Sequence, residues 1–382
     1  PLLAMGECAA APLRVGVLGT ASIARKNARA LARSGECELI AVASRSLARA
    51  QAWAEPLSLW FGGKAPRALG SYEELLALPE LDAVYVPLPT SAHMVWVARA
   101  AAARKHVLLE KPVALSAQQF ERMLDECREA GVRLMDGTMF VHHPRHHALL
   151  QLLASDDAPI GGYPTRITSN FSFRGDENFF KSNIRTSADA DSLGCIGDLG
   201  WYCIRLALTV FGWQKPTAVR AIVNRHVGGD GGVPTDVDAQ ITFGSTPSGE
   251  SRVLKFHASF HHTFRQTFEI ETTGDRLISC GDFVLPKSEL GAEPLVLRTS
   301  LKLVDLDTRV NTIDERIDVG PACQESLMWD AFAVGCREGL SGGSMDWEIA
   351  ALRTQAVCDA VMAALKLDGA VMDLGTMPGW TE

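Results

Sequence analysis

The chain of 382 residues lacks a long apolar run, an excess of positive charge and any paired-cysteine motif, and each shortage excludes a class of protein. No stretch approaches the roughly 20 apolar residues that a membrane span needs. The best candidate is broken by Asp198 and Arg205, so no membrane span is expected. Lys+Arg number 37 against 45 Asp+Glu, a net charge of −8, which argues against a binder of nucleic-acid phosphates. The nine cysteines are scattered, odd in number and never spaced CxxC, so neither a disulfide framework nor a zinc ribbon is expected. A reducing compartment, the cytoplasm, fits that usage. The opening PLLAMGECAAAP lacks the basic flank and apolar stretch of a secretory signal, and an organellar location after removal of a transit peptide stays open. Also missing are GxSxG, HExxH and GxxxxGK[ST], and none of the four tyrosines has a lysine four residues on.

What is present divides the chain in two. Length, 47% hydrophobic and 21% charged residues suit two globular domains, each large enough for a core. From Leu13 to Asp136, the apolar runs LRVGVL, ELIAVAS, LDAVYVPL, KHVLLE and VRLMD alternate with helical stretches. These are Ser22 to Arg33, Ser46 to Ala54, His93 to Arg104, and Ser116 to Ala130 with Gly131 placed to end it. Near-continuous apolar strands separated by helices predict a parallel sheet covered on both faces. Beyond Thr138 come a helix from Pro144, the strand TRITSNFSF and a helix from Cys195 to Phe211. The alternating runs TAVRAIV, VDAQITF, RVLKFHASF, QTFEIETTG and RLISCGDFVL follow with few helices between, which predicts a large, mostly antiparallel sheet. GGDGGVP at Gly228 to Pro234 reads as a hairpin tip, and helices at Glu325–Arg337 and Trp347–Leu365 close the chain. The expected fold class is α/β: a doubly wound parallel-sheet domain over 12–137, then an α+β domain over 138–375 with a large, mostly antiparallel open sheet. The last helix is free to pack back on the first domain.

The first strand runs straight into GTASIARKNARAL, a tight turn followed by a helix whose free N–H groups and dipole suit an anion. The dinucleotide fingerprint asks for Gly, Gly and Gly or Ala; here Gly19, Ala21 and Ala24 stand there, with Thr20, Ser22 and Ile23 between. The second strand ends not in a carboxylate but in Ser44-Arg45-Ser46, with Arg49 one turn on. A guanidinium flanked by hydroxyls suits a 2′-phosphate, so NADP is expected rather than NAD.

HVLLEKPVALS at the fourth long strand, together with the glycine turn, PLPTSAH (Pro87–His93) and the later GDLGWY, resembles the Gfo/Idh/MocA oxidoreductases over nearly the whole chain. The branch holding dimeric dihydrodiol dehydrogenase, NADP-dependent D-xylose 1-dehydrogenase and glucose–fructose oxidoreductase, with plant-type members, is the nearest in pattern. The resemblance implies a Rossmann NAD(P)-binding domain followed by a substrate-binding and dimerisation domain, a carbohydrate-like substrate between them, a homodimer through the open sheet, and catalytic roles for Lys111, Asp198 and Tyr202. It also implies that Leu88, Pro89, Thr90, His93 and Glu110 join Lys111 on the nicotinamide side, and that Lys111–Pro112 is cis. The family's PN dipeptide is Pro89-Thr90 here, and its glycine-rich run is thinned to SLGCIGD.

Residue chemistry points the same way. A hydroxyl that loses its carbon-bound hydride must also lose its proton to a base. A phenol with a pKa of about 10 serves at neutral pH only beside a cation. Asp198 and Tyr202, four apart, share one face of an α-helix, where the carboxylate can orient the ammonium. Tyr202 is read as proton acceptor or donor, Lys111 as activator and anchor, Asp198 as orienter; Lys111 as the proximal acid/base is the open alternative. HHPRHH (His142, His143, His146, His147) does not place its HxxxH pairs on one helical face and reads as a rim of the substrate cleft, with no metal expected. Phe140, His142 and Arg185 are candidates for substrate contact. The reaction expected is NADP-dependent hydride transfer at a hydroxyl of a sugar, polyol or cyclic diol. Two other readings stay open: a nucleotide-bound regulatory or scaffold protein without turnover, and redox-assisted glycosidic cleavage.

Overall fold

A computed structural model describes residues 11–154, 162–229, 231–274, 276–286, 293–300, 312–338 and 346–380. The opening segment, on which the targeting question turns, lies mostly outside them. The first half folds as β1 (Leu13–Leu18), α1 (Ser22–Leu31), β2 (Cys37–Ala43), α2 (Leu47–Ala54), β3 (Arg67–Leu69), α3 (Tyr72–Leu76), β4 (Ala83–Val86), α4 (Thr90–Ala102), β5 (His106–Leu109), α5 (Ala117–Ala130) and β6 (Leu134–Asp136). The six strands pair in parallel in the order β3-β2-β1-β4-β5-β6, so the order reverses between β1 and β4, where doubly wound sheets open a ligand crevice. β1 and β4 are almost wholly buried, as their apolar runs require. Ser116 Oγ accepts from the Gln119 amide at the start of α5, and Gly131 ends it at φ +69°. The short pair β3 and α3 was not read from the sequence: three and five residues are too few to set a period.

The second half begins with α6 (Pro144–Ala154), β7 (Pro164–Arg174), α7 (Glu177–Ser182) and α8 (Trp201–Val210). Next come β8 (Pro216–Val227), β9 (Val233–Ser245), β10 (Ser251–Ser259), β11 (His261–Thr272), β12 (Arg276–Cys280), β13 (Leu295–Ser300) and β14 (Thr312–Ile317). The chain closes with α9 (Gln324–Glu338), α10 (Trp347–Ala364) and β15 (Met372–Asp373). Nine strands pair in the order β14-β13-β12-β11-β7-β10-β9-β8-β15, antiparallel except where β7 meets β10. The glycine-rich GGDGGVP joins β8 to β9 as a hairpin. One face of this sheet carries Val237, Ala239, Ile241, Leu254, Phe256 and Ile270 into the core, and α8 packs there against β7 and β10. The other face, carrying Asn170, Asp238, Gln240 and Lys255, is left without a covering layer among the described residues.

Two buried contacts lock the halves together. Arg205 on α8 donates to Asp136 Oδ2 at 2.9 Å and to Thr354 Oγ1 at 2.7 Å, joining β6, α8 and α10. Removing one partner of such a pair costs about 3–5 kcal/mol because an uncompensated charge stays buried. In addition, α9 returns to the first domain. Trp329 Nε1 donates to Asn27 Oδ1 at 3.0 Å, and Ser326 Oγ donates to the Ala30 carbonyl at the same distance. Among the described residues, no helix is long and apolar enough to cross a membrane.

Candidate active site

A cleft of about 480 Å³ lies between the carboxyl ends of the parallel strands and the start of the second domain. Its first wall is the nucleotide turn. The Gly19 amide donates to the Ala43 carbonyl at 2.8 Å, and the residue sits at φ +104°, a region that favours glycine. A Cβ there would come within 3.1 Å of Leu88 and 3.4 Å of the Tyr72 hydroxyl oxygen. Helix α1 opens at Ala21 with no side-chain cap and no acidic residue in its first turn, so its N–H groups stay available to an anion, and Ala21, Ser22 and Ile23 line the cleft. Ala24 is wholly buried and serves packing.

Arg49 Nε donates to Thr20 Oγ1 at 3.0 Å, and the Arg49 amide donates to Ser46 Oγ, the cap of α2. Burial raises the Tyr72 phenol, while the nearby Arg45 and Arg49 guanidiniums pull it down. Thr20, Arg45, Ser46 and Arg49 thus gather at the end of β2, with Ser44 buried behind them. Leu88 and Thr90 reach the cleft, whereas Pro89 caps α4. His93 is buried; its ring stands between the Val113 carbonyl (Nδ1, 3.1 Å) and the Leu88 carbonyl (Nε2, 2.9 Å). It therefore ties the loop after β4 to the loop after β5 and is not among the cleft-lining residues, a correction to its expected place at the cofactor. Helix packing claims the ring first.

Lys111 follows β5, and its peptide bond to Pro112 is cis. Its ammonium donates to Asp198 Oδ1 at 2.8 Å and to the Asp198 carbonyl at 2.7 Å. Arg185 Nε meets the same Oδ1 at 2.8 Å. Burial alone would push the Asp198 carboxyl up; Arg185 and Lys111 outweigh it and hold it at about 2. Glu110, the residue before Lys111, accepts from the Tyr85 hydroxyl and, through Oε2, from the Lys111 amide at 3.2 Å. Tyr85 in turn accepts from Asn27 Nδ2 at 2.8 Å. Trp329 in α9 is thereby linked through α1 and β4 to the backbone of Lys111.

The helix that carries Asp198 and Tyr202 differs from expectation. Residues Ile196–Gly200 form a π-turn before α8, so the one-face spacing of a regular α-helix does not hold between the two. Both still line the cleft, but they meet Lys111 differently: Asp198 through its oxygens, Tyr202 through its ring, with the ammonium 4.8 Å from the ring centroid. The Tyr202 hydroxyl donates to Met139 Sδ at 3.6 Å rather than facing the ammonium. Burial, then the charges of Glu110 and Asp198, push the phenol well above its ordinary value. In this arrangement Tyr202 is a protonated donor.

Phe140 and His142 are not where the sequence suggested. Phe140 lies behind the wall, edge-on to Tyr202 with centroids 6.0 Å apart, and neither it nor His142 lines the cleft. The short helical turn Met139–His142 points Met139 inward instead. Burial lowers both His142 and His146 to about 3; His146 is packed into the core, whereas His142 is half-buried. Arg185 does line the cleft, paired with Asp198. Sequence reasoning missed Asp191, which also lines it. Burial and the neighbouring Asp198 charge raise Asp191 to about 6. Phe171, Phe173 and Phe264 were missed too; they supply an aromatic wall from β7 and β11. An alternating strand shows which face a phenylalanine takes, not that the face borders a cleft.

A family model described as the oxidoreductase family with NAD-binding Rossmann fold matches residues 13–138, and the family's C-terminal domain model matches 157–277. The chain belongs to the Gfo/Idh/MocA family. Within this oxidoreductase family, it is 35% identical over 262 residues to a D-xylose 1-dehydrogenase (NADP(+)) of Haloferax volcanii, covering 69% of this chain and 74% of that one. It is 34% identical over 201 residues to a trans-1,2-dihydrobenzene-1,2-diol dehydrogenase of Sus scrofa, 52% and 55% of the two chains. A 3-ketoreductase from Actinomadura kijaniata, solved with NADP and TDP-benzene, superposes with a TM-score of 0.75 at 28% identity, over 93% of this chain and 98% of that one. The Gfo/Idh/MocA architecture accounts for both sheets.

Proposed function

We propose that this Gfo/Idh/MocA oxidoreductase uses NADP to move a hydride at a hydroxyl-bearing carbon of a small sugar, polyol or cyclic diol. The observation that carries this reading is the convergence, in one cleft, of an uncapped helix start at Ala21–Ile23 with Lys111, Asp198 and Tyr202. The residues present fit the cofactor. Gly19 leaves space that a Cβ would take, α1 offers free N–H groups, and Arg45, Ser46 and Arg49 stand where a 2′-phosphate needs donors. When bound, NADP supplies or accepts the hydride at its nicotinamide C4.

The protein's own groups manage the proton. The Tyr202 hydroxyl, kept protonated, donates to the oxygen of a carbonyl being reduced, at the position now taken by its bond to Met139. The Lys111 ammonium, held by two oxygens of Asp198, keeps a third N–H for the same oxygen and stabilises negative charge developing there. Asp198 fixes the ammonium, and Arg185 keeps Asp198 ionised. We place the division between the domains at Gly137, after β6, and we propose a homodimer formed through the uncovered face of the nine-stranded sheet, which light scattering tests. The activity test is absorbance of reduced nicotinamide on mixing the protein with NADP and a panel of pentoses, aldoses and diols. Turnover that is lost in Lys111→Met and Tyr202→Phe supports the reading; a cofactor that binds and never changes redox state would sink it in favour of a regulatory role.

A further inference from the structure

We propose that Asp236, His257 and His262 form a binding site for one divalent transition-metal ion of the zinc class, at the corner where β9, β10 and β11 meet. The Oδ1 of Asp236 lies 2.9 Å from His257 Nε2, its Oδ2 lies 3.0 Å from His262 Nε2, and all three donor atoms fall within 4.8 Å of one another. A tetrahedral zinc ion with bonds of about 2.0–2.2 Å separates its donors by roughly 3.3–3.5 Å, so the cluster closes on an ion with small side-chain movements.

The scaffold holds the donors in place. Asp236 pairs with Ser259 across β9 and β10, and His257 lies two residues before Ser259 on the same face of β10. A tight corner at Phe260 then brings His262 back at the start of β11. Asp236 is 2% exposed, unusual for a carboxylate on the uncovered face of a sheet, while the His262 side chain is more than half exposed in the single chain. Asn224 Nδ2 donates to Asp236 Oδ1 at 3.3 Å and to Asp238 Oδ2 at 2.8 Å, the outer support that orients a liganding carboxylate. Among the described residues, hydrogen bonds to the two imidazoles run through Nε2 only. Each Nδ1 can therefore carry the proton when Nε2 binds a metal. Two imidazoles and one carboxylate give a net charge of −1 and a borderline donor set, which favours zinc, nickel or copper over magnesium or calcium. No spacing motif announces the cluster: the histidines stand 21 and 26 residues from Asp236, and only strand pairing gathers them. The inference is independent of the redox reading, because these residues lie outside the set that lines the catalytic cleft.

The experiment uses the full chain, stripped by chelator dialysis and titrated with Co²⁺ and Zn²⁺. Visible d–d absorption of Co²⁺ and calorimetry of Zn²⁺ serve as readouts. The expected result is one ion per chain, not displaced by excess Mg²⁺. In the half-exposed single variants His257→Gln and His262→Gln, affinity should fall by more than the roughly 10–100-fold that loss of an outer-shell partner costs. Circular dichroism and NADP binding unchanged in both variants establish that they are folded. No Co²⁺ or Zn²⁺ binding by the wild type overturns the proposal. So does undiminished binding in the double variant, which would place the ion elsewhere, or half an ion per chain, which would place it between two copies.

Discussion

The two cations that meet Asp198 permit a quantitative test. Lys111 and Arg185 both meet Asp198 Oδ1 at 2.8 Å, with the Lys111 and Asp198 side chains under a tenth exposed. The carboxyl is held at about 2 against an ordinary 3.8, so at about 1.4 kcal/mol per pH unit the native state gains roughly 2–3 kcal/mol at neutral pH. Because the native value is depressed, that gain is fully present above about pH 4 and is lost as pH falls through about 2. Asp198→Asn should cost about that much at pH 7, since it leaves two cations facing each other. Lys111→Met alone leaves Asp198 paired with Arg185. The double variant removes one charge of each sign, so its cost should fall short of the sum of the single costs by about 1–3 kcal/mol. Urea unfolding at pH 7, followed by tryptophan fluorescence, measures all four corners of the cycle. Costs that add to within about 0.5 kcal/mol would refute the reasoning, because they would mean that the ammonium and the carboxylate do not interact.

Asp191→Asn should be more stable than the wild type by roughly 2–3 kcal/mol at pH 7, with no gain at pH 4. Its raised native value of about 6 means that the group's favourable contribution is lost as pH rises from about 4 through 6; thermal melts at the two pH values check this. Tyr202→Phe should lower kcat by roughly 10²–10⁴-fold. Its unfolding free energy should stay within about 0.5 kcal/mol of wild type, because among the described residues the hydroxyl's partner is the weakly accepting thioether of Met139. Arg45→Ala should raise the KM for NADP by roughly tenfold to a hundredfold and leave that for NAD unchanged, as steady-state kinetics with both cofactors will show. A sugar phosphate should show a higher KM than its neutral parent.

The parallel domain was legible because its strands are buried on both faces and its helices are long enough to show a period. Ser116 and Gly131 bounded α5 where their chemistry says they should. EKP led to Lys111 because a lysine between a buried strand and a proline has few ordinary explanations. The rest of the site depended on distances in sequence that no local pattern encodes. Arg185 meets Asp198 only because the loop after α7 folds over the π-turn, and that extra residue in the helix breaks the spacing rule that first linked Asp198 to Tyr202. HHPRHH was conspicuous and misplaced. His146 is a core imidazole and His142 a half-buried one away from the cleft lining, while the plainer His257 and His262 end up sharing one carboxylate.

The charge pattern of the cleft bears on what it can take. The cations that line it among the described residues are Lys26, Lys111 and Arg185, and each is already paired: Lys26 with Glu325, the other two with Asp198. Two further carboxyls, Glu110 and Asp191, face the same space, both raised by burial above their ordinary values. Away from the start of α1, at the end of the cleft that holds Lys111 and Asp198, an anionic group would find no unshared cation among the described residues and would lie close to carboxylates in a medium of low dielectric, where like charges repel more strongly than in water. A neutral polyhydroxyl compound meets the opposite situation. Carboxylate oxygens accept its hydroxyl protons, the ammonium and phenol donate to its oxygens, and Phe171, Phe173 and Phe264 cover its carbon-bound faces. The pairing that holds Lys111 in place for its proposed part in proton transfer is therefore also the feature that selects against charged substrates, and the two properties should be lost together when Asp198 is neutralised.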